Sequence, residues 1–262
     1  MSINFHDEKN KHTYAARTAD SEWIKLINRY LGSKPGTALD IGCGGGIYCK
    51  ALSDLGADHV IGMDFSESNL NGARENCRSY GNISFVQGNA LDTGLPDETA
   101  DMILERALIH HIRDLDKCFQ EASRVIKSGG LFIVQDRTPE DCLLPGSESH
   151  LRGYIFEKYS KLISKETERR HSSSEVLKSL SAYQFELIDE ISFWETRRSY
   201  QDVQELNLDL LNRTGRSILH DLDDDELQDL VGYILEKLSS KQGEPLIEQD
   251  RWTIWIAKRR NR

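Results

Sequence analysis

The chain has 262 residues, of which 43 are acidic and 33 are basic, and its formal net charge is −10. A chain of this length buries roughly 70 to 75 percent of its unfolded surface, which is enough for a real core in one large domain. The negative charge argues against a general nucleic-acid-binding surface, because such a surface needs clustered lysine and arginine.

The sequence shows neither a membrane span nor a secretory leader. No apolar run approaches the roughly 18 to 20 residues of a span, and the N-terminal MSINFHDEKNKH lacks the apolar segment of a signal peptide. An odd number of cysteines without a CxxC pair indicates neither a disulfide framework nor a zinc site. We therefore predict a cytoplasmic protein without a metal centre, whose cysteines are reduced packing residues: Cys43, Cys49, Cys77, Cys118 and Cys142.

The first predicted element is a helix over residues 21–31. Asp20 or Ser21 can cap its start and Gly32 can end it. We expect this helix to lie beside the first strand of a sheet, because its apolar residues recur at helical spacing: Trp23, Ile27, Tyr30 and Leu31.

Residues 37–46, TALDIGCGGG, join an apolar run to a glycine-dense turn. Such a sequence is typical of a strand whose carboxyl end brings bare backbone up to a bound ligand. A dinucleotide fingerprint needs a glycine at its sixth position, where this chain has Ile47. Asp40, two residues before the first glycine, would repel a phosphate and attract an ammonium. The stretch therefore favours a cationic nucleoside cofactor.

With Asp40, Gly42, Gly44 and Gly46, this segment resembles the first motif of the class I S-adenosylmethionine-dependent methyltransferases, an acidic residue followed by GxGxG. Further motifs extend the resemblance over about residues 14–136. It implies a Rossmann-like α/β fold with helices on both faces of a seven-stranded, mostly parallel sheet that contains one antiparallel strand. It also implies that S-adenosyl-L-methionine is the cofactor and that Gly42, Cys43 and Gly44 contact it.

The next strand, HVIGMD, ends at Asp64, 24 positions after Asp40. A parallel strand that follows a right-handed crossover lies beside the first, so Asp64 is expected to face the glycine turn. An acidic residue placed there accepts hydrogen bonds from both ribose hydroxyls in nucleotide-binding α/β folds. A solvent-exposed aspartate at a strand end is the alternative.

Residues on either side of this core complete the implied cofactor site. Tyr14 and Arg17 resemble the N-terminal segment that many small-molecule methyltransferases fold over the cofactor, where the arginine would meet the methionine carboxylate and the tyrosine would shield the methyl group. A packing tyrosine and a surface arginine are equally good interpretations.

The third strand, predicted over residues 82–90, ends in Asn89 and Ala90, where the family usually has Asp followed by Ala. The resemblance implies that Asn89 accepts from the exocyclic amine of adenine and that the Ala90 amide meets a ring nitrogen. An amide oxygen accepts more weakly than a charged carboxylate. Phe65 and Leu91 would sandwich the base, with core packing as the alternative.

A fourth strand leads into residues 105–112, ERALIHHI, which leave its carboxyl end where cofactor and acceptor must meet. Glu105 and Arg106 are therefore candidate cofactor contacts. An acceptor that must lose a proton needs a base within hydrogen-bond reach, and His110 or His111 is the candidate. A packing or helix-capping histidine is the alternative, since many methyltransferases use no base.

Asp114 can cap a helix with one apolar face, and RVIKSGG and a buried strand over residues 131–135 follow it. Beyond residue 136 the resemblance fades, and an amphipathic helix is predicted between residues 151 and 165. Residues 185–194 and 252–257 are strand-like, and we place them together as the antiparallel pair that closes the sheet.

The long segment between these two strands, at about residues 196–250, is predicted to be helical and to serve as a substrate lid or dimer element. Its main helix lies at Leu227 to Leu238, and the acidic residues before it complement the helix dipole. We divide the chain into an N-terminal cap and helix at 1–36, a cofactor-binding core at 37–137 and a C-terminal half at 138–262, within a single structural domain.

We predict methyl transfer from S-adenosylmethionine to a small-molecule acceptor, with no nucleic acid or membrane as partner and a homodimer allowed. A non-catalytic S-adenosylmethionine-binding or partner-binding protein would keep Asp40, Asp64 and the glycines, so it remains the alternative. An NAD-dependent oxidoreductase fits less well because the sixth-position glycine is missing.

Overall fold

The computed structural model describes residues 18–241 and 243–261, so Tyr14 and Arg17 lie outside the described residues. The described chain divides into two compact units. The sheet unit comprises residues 18–136, 171–191 and 253–261. The helical unit comprises residues 137–170, 192–241 and 243–252.

The strands form one seven-stranded sheet in the order β3-β2-β1-β4-β5-β7-β6. The pairs β1–β2, β1–β4, β2–β3 and β4–β5 are parallel, and β7 is antiparallel to β5. The predicted fold class is thereby confirmed. The strands are β1 (Thr37–Ile41), β2 (His59–Asp64), β3 (Ile83–Gln87), β4 (Ala100–Arg106), β5 (Ile126–Asp136), β6 (Phe185–Tyr200) and β7 (Leu246–Arg259).

Helices connect these strands and build the helical unit. Short 3₁₀ helices lie at Ile109–His111, Ser160–Leu162, Ser217–Asp221 and Ser239–Lys241. The α-helices are α1 (Ser21–Asn28), α2 (Ile47–Asp54), α3 (Glu67–Asn76), α4 (Leu115–Val125), α5 (Pro139–Cys142), α6 (Leu151–Lys158), α7 (Ile163–Thr167), α8 (Ser173–Ala182), α9 (Val203–Leu211) and α10 (Asp224–Lys237). Within the described residues, none of these helices is long and apolar enough to cross a bilayer.

The sheet unit is organised by apolar strands and by helices with one apolar face. Asp20 caps α1 and Asp114 caps α4, as their positions predict, because each carboxylate accepts from a backbone N–H of the first turn. The apolar face of α4 packs against β4 and β5, and Phe119 meets Phe132 edge to face with ring centroids 5.3 Å apart. The result is a core that holds the strand ends in a fixed arrangement.

The helical unit has its own apolar core, to which α6, α9 and α10 contribute. It also buries many charged side chains, including Arg216, Asp209 and Glu248, each about 4% exposed or less. Charges buried this deeply persist only when they are paired and hydrogen-bonded.

Several element boundaries differ from the expected ones. The third strand, expected over residues 82–90, ends at Gln87, and Asn89 forms an isolated bridge with Asp92. The single helix expected at residues 151–165 is broken at Tyr159, whose backbone leaves the helical region at φ −124° and ψ 75° and whose hydroxyl donates to Asp229 on α10. Helices α3 and α8 were not predicted, and β5 begins earlier than expected, at Ile126.

Candidate functional site

The glycines of the turn after β1 differ in the space that a side chain would have. Gly42, Gly44 and Gly46 have φ values of 78°, 51° and 79°, which a side chain would strain. A Cβ on Gly42 would lie 2.9 Å from Leu108 Cδ1, and one on Gly46 would lie 2.8 Å from Cys77 Sγ. A Cβ on Gly44 would meet nothing within 4 Å. Two of the glycines are therefore required by packing, and the third exposes backbone to open space.

Asp64, at the end of β2, faces this turn as its position predicts. Its Oδ2 accepts from the Gly44 amide at 2.9 Å, and its Oδ1 accepts from the Ser66 amide at 2.8 Å and from Asn69 Nδ2 at 3.2 Å. An ionised carboxylate offers about four acceptor positions. One position thus remains for a ligand hydroxyl, and a second ribose hydroxyl would have to replace one of these donors.

Asp40, on β1, is a buried carboxylate. Its side chain is 2% exposed, and Cys49 Sγ donates to its Oδ2 at 3.3 Å. Burial raises the pKa of Asp40 to about 7, although the charge of Arg106 acts in the opposite direction. The sequence analysis assigned Asp40 to the ammonium of the cofactor, and this role stays a prediction for a side chain that is almost fully buried.

A stack of side chains stands at the end of β4. The guanidinium carbon of Arg106 lies 4.3 Å from the centre of the Tyr48 ring, and Trp23 meets the same ring edge to face at 4.8 Å. Trp23 Nε1 donates to Gln135 Oε1 at 2.7 Å, which ties the stack to β5. We call these three side chains the Tyr48 stack. The periodicity of α1 placed Trp23 in the core, but no local pattern indicates its contact with Tyr48.

The residues predicted to contact adenine lie around the ends of β2 and β3. Phe65 is 68% exposed, whereas Ala90 is buried and Leu91 is partly buried against the core. Asn89 is exposed, and its Oδ1 accepts from the Leu91 amide at 2.9 Å. The amide oxygen that was expected to receive the adenine amine therefore already has a backbone partner, and its role stays a prediction.

His110 lies on the short helix after β4 and pairs with the carboxylate that ends β5. Its Nδ1 lies 2.8 Å from Asp136 Oδ2, and its backbone N–H donates to the same oxygen at 3.2 Å. His110 is 11% exposed and Asp136 is 1% exposed at the side chain. The adjoining backbone is strained, because Ala107 has a φ of 51° and its amide donates to Gln135 O at 2.8 Å.

Asp136 is a site residue that the sequence analysis missed. It closes the buried strand LFIVQD at the same edge of the sheet as His110, and this position was the available signal. His111, the other candidate base, is exposed, and its ring centre lies 4.0 Å from that of His110.

Glu105 lies in the core of the sheet unit. It is fully buried, and Cys118 Sγ on α4 donates to its carboxylate at 3.5 Å. Burial raises the pKa of Glu105 to about 8. Its neighbour Arg106 belongs to the Tyr48 stack, so adjacent residues of one strand point to different surroundings.

The glycine turn, Asp64, Arg106 and His110 thus lie at the carboxyl ends of β1, β2 and β4, the usual ligand edge of an open α/β sheet. Within the described ranges, no group of three or more histidine, cysteine or acidic side chains could hold a metal ion.

Comparison with known proteins finds similarity to methyltransferases. Residues 39–134 match the model of a methyltransferase domain family. Demethylmenaquinone methyltransferase of Bacillus licheniformis is 34% identical over 120 residues, which cover 45% of this chain and 50% of that protein. Ubiquinone biosynthesis O-methyltransferase of Mesorhizobium japonicum is 35% identical over 98 residues, which cover 37% and 39%.

A solved structure from Anabaena variabilis, described provisionally as a methyltransferase of an antibiotic biosynthesis pathway, has a TM-score of 0.69 at 20% identity and covers 91% of this chain and 98% of that one. At this identity the likeness concerns the fold alone. The chain spans 50% and 39% of the lengths of these two curated relatives.

Proposed function

We propose, from the match of residues 39–134 to the model of a methyltransferase domain family, that the protein is an S-adenosylmethionine-dependent methyltransferase with a small-molecule acceptor. The resemblance to class I methyltransferases that rests on Asp40 and the glycine motif is confirmed by this match and by the fold. The cofactor, the acceptor and the residues that handle them are proposals.

The observation that carries the proposal is the contact between Asp64 and Gly44. The carboxylate that would bind ribose accepts from the amide of Gly44, a glycine at which an added Cβ would meet nothing within 4 Å. These residues fit the adenosyl group, because bare backbone, an acceptor position on Asp64 and an exposed aromatic ring at Phe65 meet at one edge of the sheet.

S-adenosylmethionine, when bound, supplies a methyl group on a positively charged sulfur. The chain contributes positioning: Gly42, Cys43 and Gly44 present backbone, and Asp64 holds ribose. Asn89, Ala90, Leu91 and Phe65 enclose adenine. Glu105 and Arg106 complete the proposed contacts, although the burial of Glu105 leaves its side chain facing Cys118.

We further propose that His110 is the general base. An ionised carboxylate can only accept, so Asp136 holds the hydrogen of the imidazole on Nδ1 and leaves Nε2 with a lone pair. Asp136 then acts as a positioning residue that orients the ring. This arrangement suits an acceptor that loses a proton during transfer, such as a hydroxyl, a thiol or an acidic carbon.

A small-molecule acceptor is supported by the curated relatives, whose names refer to demethylmenaquinone and to ubiquinone biosynthesis. A reducing compartment such as the cytoplasm is supported by five buried cysteines that are all free. We further propose that residues 196–250 serve as a substrate lid or a dimer element.

Calorimetry tests the cofactor assignment. We expect S-adenosylmethionine and S-adenosylhomocysteine to bind and NAD not to bind. Asp64→Asn should weaken binding by about 1.5 to 3 kcal/mol, because the amide loses charge-assisted acceptance. Selective binding of NAD, or unchanged affinity in Asp64→Asn, would contradict the proposal. Binding without turnover in a broad screen of methyl acceptors would favour a non-catalytic protein.

The base is tested with an acceptor identified by that screen. His110→Ala should lower kcat by about 100-fold or more, because general-base catalysis contributes roughly 10² to 10⁴. The affinity for S-adenosylhomocysteine should not change. His111→Ala is the matched control, and a larger loss of kcat in this variant would transfer the role to His111.

A further inference from the structure

Three of the five cysteines lie around the glycine turn. Cys43 belongs to the turn itself, Cys49 lies in the first turn of α2, and Cys77 follows the last residue of α3. All three are free thiols. Cys49 is fully buried, whereas Cys43 keeps 8% of its surface exposed. Of these two residues, Cys43 is therefore the one that a small molecule at the turn can reach.

The thiols of Cys43 and Cys49 are in contact with each other and with a buried acid. The two cysteine side chains share a hydrogen bond. Cys49 Sγ also donates to Asp40 Oδ2 at 3.3 Å. Cys49 thus lies between the more exposed thiol and a carboxylate that can take its proton. We call these three side chains the thiol–acid chain.

We propose that Cys43 and Cys49 form a reversible disulfide that switches off the proposed cofactor site. The loss of cofactor binding rests on the proposed function, whereas the formation of the disulfide does not depend on it. The oxidant is a peroxide. In a reducing compartment, disulfides of this kind are transient and sense oxidants, which distinguishes them from structural cross-links.

The oxidation proceeds in two balanced steps. The Cys43 thiolate attacks one oxygen of hydrogen peroxide, the O–O bond breaks, and a sulfenic acid and one water form. Cys49 then attacks the Cys43 sulfur, so that the S–S bond forms, the S–O bond breaks and a second water leaves. The proton of Cys49 passes to Asp40 and on to the departing oxygen. Two thiols and one peroxide thereby yield one disulfide and two waters.

The environment of the thiol–acid chain assigns these roles. The hydrogen bond with Cys49 lowers the pKa of the Cys43 thiol, although burial keeps this pKa above its usual value. The same bond raises the pKa of Cys49, and burial raises it further. Because the thiolate is the nucleophile, Cys43 reacts first. Burial raises the pKa of Asp40 to about 7, so its carboxylate is a base suited to neutral pH.

A disulfide at this position would displace the glycine turn. Its sulfur atoms lie about 2.05 Å apart, closer than a hydrogen-bonded pair, so the turn, the start of α2 or both must move. The Cys43 amide donates to Met63 O at 2.9 Å, and the Gly46 amide donates to Cys43 O at 2.9 Å. The amide of the next residue, Gly44, donates to Asp64 at 2.9 Å. A shift of Cys43 therefore disturbs the contact on which the proposed cofactor site rests.

The test follows thiols and cofactor binding in the same samples. Wild-type protein that is treated with hydrogen peroxide and then denatured should show three thiols instead of five, because one disulfide consumes two. Peptide mapping without reduction should join Cys43 to Cys49. By calorimetry, the affinity for S-adenosylhomocysteine should fall by about 10-fold or more after oxidation and recover with dithiothreitol.

Three variants separate the roles of the thiols. Cys43→Ser should form no disulfide, and its affinity for S-adenosylhomocysteine should be the same before and after peroxide. Cys49→Ser keeps a donor to Asp40 but lacks the second thiol, so it should accumulate a sulfenic acid at Cys43 that dimedone traps. Cys77→Ser is the matched control, since this thiol lies beside the same turn, and it should respond to peroxide as wild type does.

The outcomes distinguish the possible failures. Five thiols after treatment, or a link from Cys43 to Cys77, would overturn the proposal. A disulfide between Cys43 and Cys49 that leaves the affinity unchanged would overturn the switch. A loss of affinity that persists in Cys43→Ser would trace to another oxidised residue and also overturn it. If reduced wild-type protein does not bind S-adenosylhomocysteine, the proposed function fails, while the thiol count still decides whether the disulfide forms.

Discussion

At the scale of single residues, the sheet unit contains acids whose environments differ sharply. Asp64 is surrounded by donors at the ligand edge, whereas Glu105 is enclosed by the core and faces the Cys118 thiol. A buried carboxyl group without a cation beside it favours its neutral form. The two acids therefore affect the protein differently: Asp64 through a ligand, and Glu105 through the dependence of stability on pH.

We expect Glu105→Gln to stabilise the protein at high pH. Because the pKa of Glu105 in the folded state, about 8, exceeds its unfolded value, stability is greatest below the unfolded pKa and falls as pH rises towards 8. A neutral glutamine removes this loss, on the order of 3 kcal/mol between pH 5.5 and pH 8. Urea unfolding at several pH values measures it. Glu186→Gln, at an exposed position of β6, is the control; a Glu105→Gln effect that is constant with pH would contradict the expectation.

At the scale of elements, local hydrogen bonds define where helices begin. The acidic residues before α10, interpreted from the sequence as a complement to the helix dipole, also form a capping box: Asp223 accepts from the Glu226 amide, and Glu226 accepts from the Asp223 amide. Both effects stabilise the same end of the helix. The capping box is the larger of the two, because it satisfies amides that the helix itself leaves without partners.

We expect Asp223→Ala to lower the free energy of unfolding by about 1 kcal/mol, because the first turn of α10 loses its cap. Asp225→Ala, in the same turn but without a capping contact, should cost only a few tenths of a kcal/mol. Chemical unfolding of the two variants distinguishes these values. Equal losses would mean that charge near the helix dipole, rather than the capping bond, accounts for the effect.

At the scale of the whole molecule, the two units are stabilised in different ways. The core of the sheet unit is mainly apolar, whereas the helical unit adds a buried network around Tyr200, in which Arg216 bridges Asp209 at 2.6 Å and Glu248 at 2.6 Å. Around Glu166, burial alone would raise the pKa, but three arginines outweigh it and hold the pKa at about 2. Such networks stabilise only while complete, because one missing partner leaves buried charge uncompensated.

We expect Arg216→Met to cost about 3 to 5 kcal/mol, because Asp209 and Glu248 would lose the buried cation that joins them. Arg198→Met, at a partly exposed arginine that also pairs with Asp209, should cost about 1 kcal/mol or less. Chemical unfolding gives the two values, and hydrogen exchange should show the loss of protection concentrated in the helical unit. Similar costs for the two variants would show that burial does not govern the contribution of these pairs.

The sequence alone determined the architecture of the sheet unit and the outline of its ligand edge. Apolar runs, glycines and caps are local signals, so β1, the glycine turn, the orientation of Asp64 and helices α1, α4 and α10 could be predicted from short stretches. The resemblance to class I methyltransferases likewise rested on residues close together in the chain.

Only the tertiary structure decided which distant residues meet. Asp136 reaches His110 across 26 positions, and Trp23 reaches Gln135 across 112. The tertiary structure likewise decided the burial of Asp40 and Glu105. It also decided the contacts of the Tyr48 stack and the assembly of the helical unit from separate chain segments. Their common reason is that burial and long-range pairing depend on how whole elements pack, and a local pattern of residue types does not encode the partner on another element.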